Sequence, residues 1–313
     1  MRCSKKRVTL AFIAFLLVLA VAVVGCTGTE SNSDAADETK SPQATYPVTV
    51  TDDAGRDVTI AEEPERIVSL APANTEIVAA LGLLDRLVGV TTFCDYPPEV
   101  VDLPKVGDFV APNIEAIAAS EPDLILATTG VQAETIAQLE QLGAAVIAID
   151  PQTIDALYTS IETVGVAAGK PAEAQTLVDA MKADLEEVAS AVSGQEQVTC
   201  FLEIAQDPLF TAGPGTLLSD VITAAGGQNV VGEEGYVGYS LEQLLIDDPD
   251  VYLATKGSMS DPSVIESRAG YDALAAVKGG RVYVLDDNLV SRPGPRVVEG
   301  VRRVAEALYP DAF

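Results

Sequence analysis

The chain has 313 residues, 48% of them hydrophobic and only 5% aromatic, with no His and no Trp, and its formal charge is −28. An acidic surface of that strength repels nucleic acid and anionic lipid headgroups, which excludes both as partners, and its bulk is read as solubility rather than as a site. Without His, neither a His-ligated metal nor a His general base is available.

The first 26 residues are targeting sequence. Arg2, Lys5, Lys6 and Arg7 precede an apolar run from Val8 to Val24, which ends V-V-G-C at Cys26. Small residues before a Cys make a lipobox: Cys26 is lipidated and becomes the mature N-terminus. An uncleaved transmembrane anchor is the alternative, because the run is nearly long enough to span. Both place the body outside the cytoplasm. Residues 27–46, rich in Ser, Thr, Asp, Glu and Ala, form a flexible tether. Beyond it stand Cys94 and Cys200. A disulfide is permitted outside the cell, and a pair of buried free thiols is the other reading.

Residues 47–166 read as an N-terminal α/β lobe. A hairpin over Val48–Ile60 turns at Asp53-Ala54-Gly55. Strands follow at Arg66–Leu70, Leu87–Val90, Leu124–Ala127 and Val146–Ile149, alternating with helices, the first capped by Asn74 or Thr75 and a later one over Val131–Leu142. Such βα alternation predicts a parallel-dominated sheet. Residues 167–196 carry the linking helix. Pro171 suits its first turn, and an apolar stripe runs through Leu177, Val178, Met181, Leu185, Val188 and Val192. At about 1.5 Å per residue it reaches about 33 Å, the dimension of a lobe. Residues 197–313 then repeat the alternation as a C-terminal lobe, closing with a helix from Arg296 to Leu308. The predicted fold is therefore α/β, with two Rossmann-like lobes joined by a single long helix.

A sixteen-residue segment recurs at an offset of 127 residues: Asn113–Thr128 aligns without a gap on Ser240–Thr255. Glu115 falls on Glu242, Pro122 on Pro249, Asp123 on Asp250 and Ala127-Thr128 on Ala254-Thr255. Each copy reads as a polar cap, an acid in the first turn of a short helix, a Pro-Asp break and an apolar strand.

The runs R-I-V-S-L-A-P-A-N-T-E (Arg66–Glu76), C-D-Y-P-P-E-V (Cys94–Val100), G-G-Q-N-V (Gly226–Val230) and R-P-G-P-R (Arg292–Arg296) resemble the helical-backbone class of substrate-binding proteins. That class serves ABC importers of vitamin B12, haem and ferric siderophores, and the resemblance spans Pro64 to Tyr309. The Pro-Ala-Asn-Thr-Glu and Asp-Tyr-Pro-Pro runs are most similar to the cobalamin-binding branch. The resemblance implies that Glu115 and Glu242, one per lobe, meet arginines of a permease dimer coupled to cytoplasmic ATPase subunits. It also implies a lipid-anchored monomer that carries its metal chelate as cargo and holds no cofactor.

Loops at strand ends from both lobes should line the ligand cleft. The candidates are Pro72, Ala73 and Asn74; Phe93 and Tyr96; Phe109; Phe210; Tyr236 and Tyr239; and Arg292 and Arg296. Aromatic rings offer stacking area to a flat macrocycle, with core packing as their other role. The two arginines suit ligand carboxylates or phosphate, with a salt bridge as the alternative. Phe109 stands where the cobalamin branch resembles a Trp-bearing loop, and the lack of any Trp here counts against a corrinoid; the Asp95-Tyr96-Pro97-Pro98 and Pro72-Ala73-Asn74-Thr75 runs still put a corrinoid first, with a ferric siderophore or Tyr-ligated haem behind it. A two-lobed enzyme is the competing class. The chain offers it no G-x-S-x-G elbow, no P-loop and no His. An adhesive or structural lipoprotein is a third reading, and it would hold no tight small ligand.

Overall fold

Strand alternation sets the layers of this protein. The computed structural model describes residues 44–256 and 259–313, so the signal, the lipobox at Cys26 and nearly all of the tether lie outside the described residues. Strands β1 (Val48–Thr51) and β2 (Asp57–Ile60) pair as an antiparallel hairpin. The buried Asp52 fastens it to the first lobe by accepting from Arg56 Nη2 at 2.5 Å and from the Ala148 amide at 3.0 Å. These bonds outweigh the burial of Asp52 and hold its carboxyl below the usual range.

The first lobe contains β3 (Ile67–Ser69), α1 (Pro72–Ala80), β4 (Leu87–Val90), α2 (Ile114–Ala119), β5 (Leu124–Ala127), α3 (Ala133–Gln141) and β6 (Val146–Ala148). Its sheet runs β4-β3-β5-β6 and every pairing is parallel. Helix α1 begins two residues before the expected cap. Pro72 fills its first turn, and Asn74 and Thr75 are buried inside it, bonded to the Ala127 carbonyl and to Ser69 Oγ. Proline at the first position has no amide to leave unpaired, so this helix starts without a side-chain cap.

Helices α4 (Ile154–Ala167) and α5 (Pro171–Ala191) follow with no strand between them. On α5, Ala174, Val178, Met181 and Val188 recur on one face and are buried. The second lobe holds β7 (Thr199–Glu203), β8 (Ala205–Gln206), β9 (Leu209–Ala212), α6 (Leu217–Ala224), β10 (Gln228–Asn229), β11 (Tyr236–Gly238), α7 (Leu241–Asp247), β12 (Val251–Thr255), α8 (Ala275–Lys278), β13 (Val282–Leu285), α9 (Asp287–Val290) and α10 (Val297–Leu308). Its main sheet runs β10-β7-β12-β13, again parallel. A small antiparallel sheet, β11-β9-β8, was not expected from the sequence.

Among the described residues the two parallel sheets share no strand. Their inner faces meet one apolar core. Leu124 and Leu126 of β5, Val178 and Met181 of α5, Cys200 and Leu202 of β7, and Val251 and Leu253 of β12 all belong to it. The alternate residues Ile125 and Ala127, or Phe201, Tyr252 and Ala254, face the separate outer core of each lobe. Helix α5 is thus a connector packed along its length. Helix α4 adds to the joint, where Asp220 of α6 accepts from the Ile154 amide at 2.7 Å. Cys94 and Cys200 are buried free thiols with no bridge. Burial, with Asp250 nearby, pushes the Cys200 thiol up to about 12.

The repeat is visible in the backbone. Asn113 Oδ1 accepts from the Ala116 amide and Ser240 Oγ from the Gln243 amide, so both caps form at the same offset. Glu121 (φ 46) and Asp248 (φ 37), also 127 residues apart, are the two non-glycine residues with left-handed φ among the described residues. Asp123 then accepts from the Glu65 and Arg66 amides, and Asp250 from Thr199 N and Oγ1. In each lobe the Pro-Asp carboxylate therefore fixes the start of the neighbouring strand.

Candidate ligand cleft and docking helices

A cavity of about 450 Å³ opens between the lobes. The first lobe supplies residues just beyond the C-terminal ends of its strands: Ala71, Pro72, Ala73 and Asn74 after β3, Phe93, Phe109 and Val110 after β4, Thr128 after β5, and Ile149 and Asp150 after β6. The second lobe supplies Asp287, Asn288, Ser291, Arg292 and Pro293, after β13. That end of a parallel sheet is where α/β proteins take ligands.

Buried neighbours aim these residues. Cys94 lies beneath the loop, with the Thr75 and Thr91 hydroxyls 3.1 and 3.2 Å from its Sγ. Its burial turns Phe93 and Tyr96 outward, leaving Phe93 58% and Tyr96 43% exposed. Gln132 is fully buried and has three backbone partners. It donates to the carbonyls of Leu70 at 2.8 Å and Phe109 at 2.7 Å, and accepts from the Thr128 amide at 2.9 Å. One side chain thereby sets the Phe109 loop and two of the strand ends. Asn74 lines the cavity but gives its amide to Ala127, so it ties the wall rather than reaching into the space.

The arginines of the R-P-G-P-R run cross between lobes. Arg296 donates to Glu76 of α1 through Nε at 2.9 Å and Nη2 at 2.6 Å, and Arg292 Nη1 reaches the same carboxylate at 3.3 Å. Arg292 Nη1 also lies 2.6 Å from Asp95 Oδ1. The Glu76 side chain is 2% exposed, so this is a buried carboxylate clamped by two guanidiniums. Gly294 sits between them, and a Cβ there would stand 3.3 Å from Glu76 Oε2. Arg296 caps the Tyr96 ring at 3.9 Å from its centroid. The hydrogen bond from Arg292 holds the Asp95 carboxyl below its usual range. Burial opposes the Arg292 charge, but Asp95 and Glu76 more than offset it and raise its pKa. For Arg296 the bond to Glu76 leads and the shift is again upward.

The remaining candidates do not all meet in the cavity. Tyr236 on β11 is 49% exposed and does not line the cavity; burial, with Asp150 of the opposite lobe, raises its hydroxyl pKa. Tyr239 turns into the second lobe. Its ring packs 5.3 Å from Phe201, its hydroxyl donates to Asp247, and its pKa rises through burial and that bond. Phe210 is half-buried on β9, paired with Gly238 and Ala205, and does not line the cavity. The sequence reading missed Glu76, Asp95, Gln132 and Asp150. Asp95 and Glu76 lie inside the runs Cys94–Val100 and Arg66–Glu76, whereas Gln132 carries no local signal.

Glu115 and Glu242 are exposed in the first turns of α2 and α7. Among the described residues neither carboxylate makes a hydrogen bond or an ion pair, in contrast to the caps and the Pro-Asp carboxylates of the same repeat.

Comparison with known proteins agrees with this architecture. Residues 67–289 match the family model described as periplasmic binding protein. The chain is 38% identical over 309 residues to an uncharacterized ABC transporter substrate-binding lipoprotein, YvrC, of Bacillus subtilis, covering 96% of this chain and 97% of that one. The crystal structure of the periplasmic vitamin B12 binding protein BtuF of Vibrio cholerae superposes with a TM-score of 0.69 at 30% identity, covering 79% of this chain and 98% of that one. The periplasmic heme-binding protein RhuT of Roseiflexus sp. RS-1 gives a TM-score of 0.71 at 28% identity, covering 80% of this chain and 99% of that one. The chain belongs to the periplasmic binding protein family, as a substrate-binding protein of an ABC transporter and not an enzyme.

Proposed function

We propose that this protein is an extracytoplasmic lipoprotein, anchored through Cys26, that captures a corrinoid between its lobes and delivers it to a permease. Residues 27–46 are its tether, residues 47–166 and 197–313 its two lobes, and residues 167–196 the connector. The observation that carries the cargo is the cavity wall. Phe93, Phe109 and Val110 present apolar area around Pro72 and Ala73, and Arg292 offers a cation at the opposite side. A large, flat, mainly apolar macrocycle with an anionic phosphate arm suits that wall. Tyr96 lies outside that wall, in a second pocket shared with Glu76 and Arg296. Similarity to a vitamin B12-binding structure supports the same reading.

The acids Glu115 and Glu242 are the permease contacts in this reading, because the repeat keeps them while neither has a partner among the described residues. Visible spectroscopy tests the cargo, since cyanocobalamin, haemin and ferric hydroxamates all absorb. Saturable one-to-one binding of cyanocobalamin, with weaker binding of the other two, is the expected result. A Soret shift with haemin and no response to cyanocobalamin would replace the corrinoid by Tyr-ligated haem. Failure of all three to bind would remove chelate capture.

A further inference from the structure

The two copies of the repeat match in their acids and differ one turn later. Glu115 is followed at three and four residues by Ala118 and Ala119, and Glu242 by Leu245 and Ile246. Those spacings place each pair on the same helix face as its acid. All four residues are exposed, Leu245 at 37% and Ile246 at 76%. Burial elsewhere on the two helices also matches, since Ile117 and Leu244 are the buried residues of α2 and α7 and lie 127 residues apart. Both helices therefore show solvent the same face, flat and small in the first lobe and protruding in the second.

From this asymmetry we infer that Leu245 and Ile246 form an apolar docking pad for the permease. The inference rests on the reading of Glu115 and Glu242 as permease contacts. The occupant is the extracytoplasmic face of that permease: a basic residue facing each acid, with an apolar socket beside the one that meets Glu242 and a flush surface beside the one that meets Glu115. Charge complementarity brings the partner to this face, because neither acid has a partner among the described residues. Desolvating an exposed Ile beside an ion pair then adds affinity and shields the pair from water. The permease half that receives α7 closes around a knob, and the half that receives α2 does not.

Binding of the full-length protein to the cognate permease–ATPase complex in nanodiscs tests this, with Tm and cyanocobalamin binding as controls. Ile246→Glu should weaken docking about tenfold or more and leave both controls unchanged, as expected of an apolar anchor at an interface centre. Ala119→Leu should also weaken docking, by obstructing the flush side. If Glu115→Lys with Glu242→Lys abolishes docking but Ile246→Glu and Ala119→Leu bind within twofold of the parent, the pad is overturned and the acid contacts stand. If the double reversal docks normally, the contact reading fails and the pad fails with it.

Discussion

Arg296 and Glu76 lie 220 residues apart in sequence and meet through two hydrogen bonds, of 2.9 and 2.6 Å, across the space between the lobes. Arg292 and Asp95 extend the contact toward the cavity. The lobes are thus fastened at two places, by the α4–α5 joint and by this ionic clasp. A cleft held at both sides has a defined width before ligand arrives, and pre-organisation of this kind lowers the ordering cost of binding.

Replacing Glu76 by Gln should lower unfolding stability by about 3 kcal/mol, because two guanidiniums lose their buried counter-charge. Denaturant titration checks this. Stability within about 0.5 kcal/mol of the parent would mean that the clasp contributes no net energy.

The Asp95–Arg292 bond should carry its own pH signature. Asp95 has a folded pKa below the ordinary carboxylate value, so its contribution is fully present above about pH 3.9. It is lost as pH falls through the lower, folded value. The Tm difference between the parent and Asp95→Asn should therefore be constant from pH 7 to about pH 5 and shrink toward zero in stronger acid. A difference that instead vanished between pH 5 and 7 would assign the effect to another group.

Phe93→Ala should weaken cyanocobalamin binding by about 1–2 kcal/mol and leave Tm unchanged, because an exposed ring contributes to the ligand and little to the core. Calorimetric titration separates the two effects. Tyr96→Ala should instead lower Tm as well, since Arg296 stacks on that ring.

Cys26→Ser should release the protein from membranes into the soluble fraction. Retention with residues 1–26 still attached would establish the uncleaved anchor.

The sequence made the local grammar readable. Pro171 at a helix start, the stripe through Val178 and Met181, and the 127-residue repeat are short-range signals, and each has its counterpart in the structure. The clasp was hidden by distance. Glu76 sits between Thr75 and Ile77 on a helix whose other face is apolar, and its burial makes sense only once Arg292 and Arg296 arrive from the far end of the chain. The β11-β9-β8 sheet escaped for a similar reason. Tyr236–Gly238 is three residues ending in Gly, and its partner strand lies beyond α6 and β10. Tyr239 shows the limit of residue type as a guide, because its ring packs on Phe201 although its sequence neighbour Tyr236 is exposed.

Uptake and solution affinity, measured side by side, test the account most directly. Cells carrying Glu115→Lys with Glu242→Lys should lose cyanocobalamin uptake, while the purified variant binds cyanocobalamin as tightly as the parent. An equal loss of affinity in solution would place those acids in ligand capture and contradict a protein that binds in its cleft and delivers through its two matched helices.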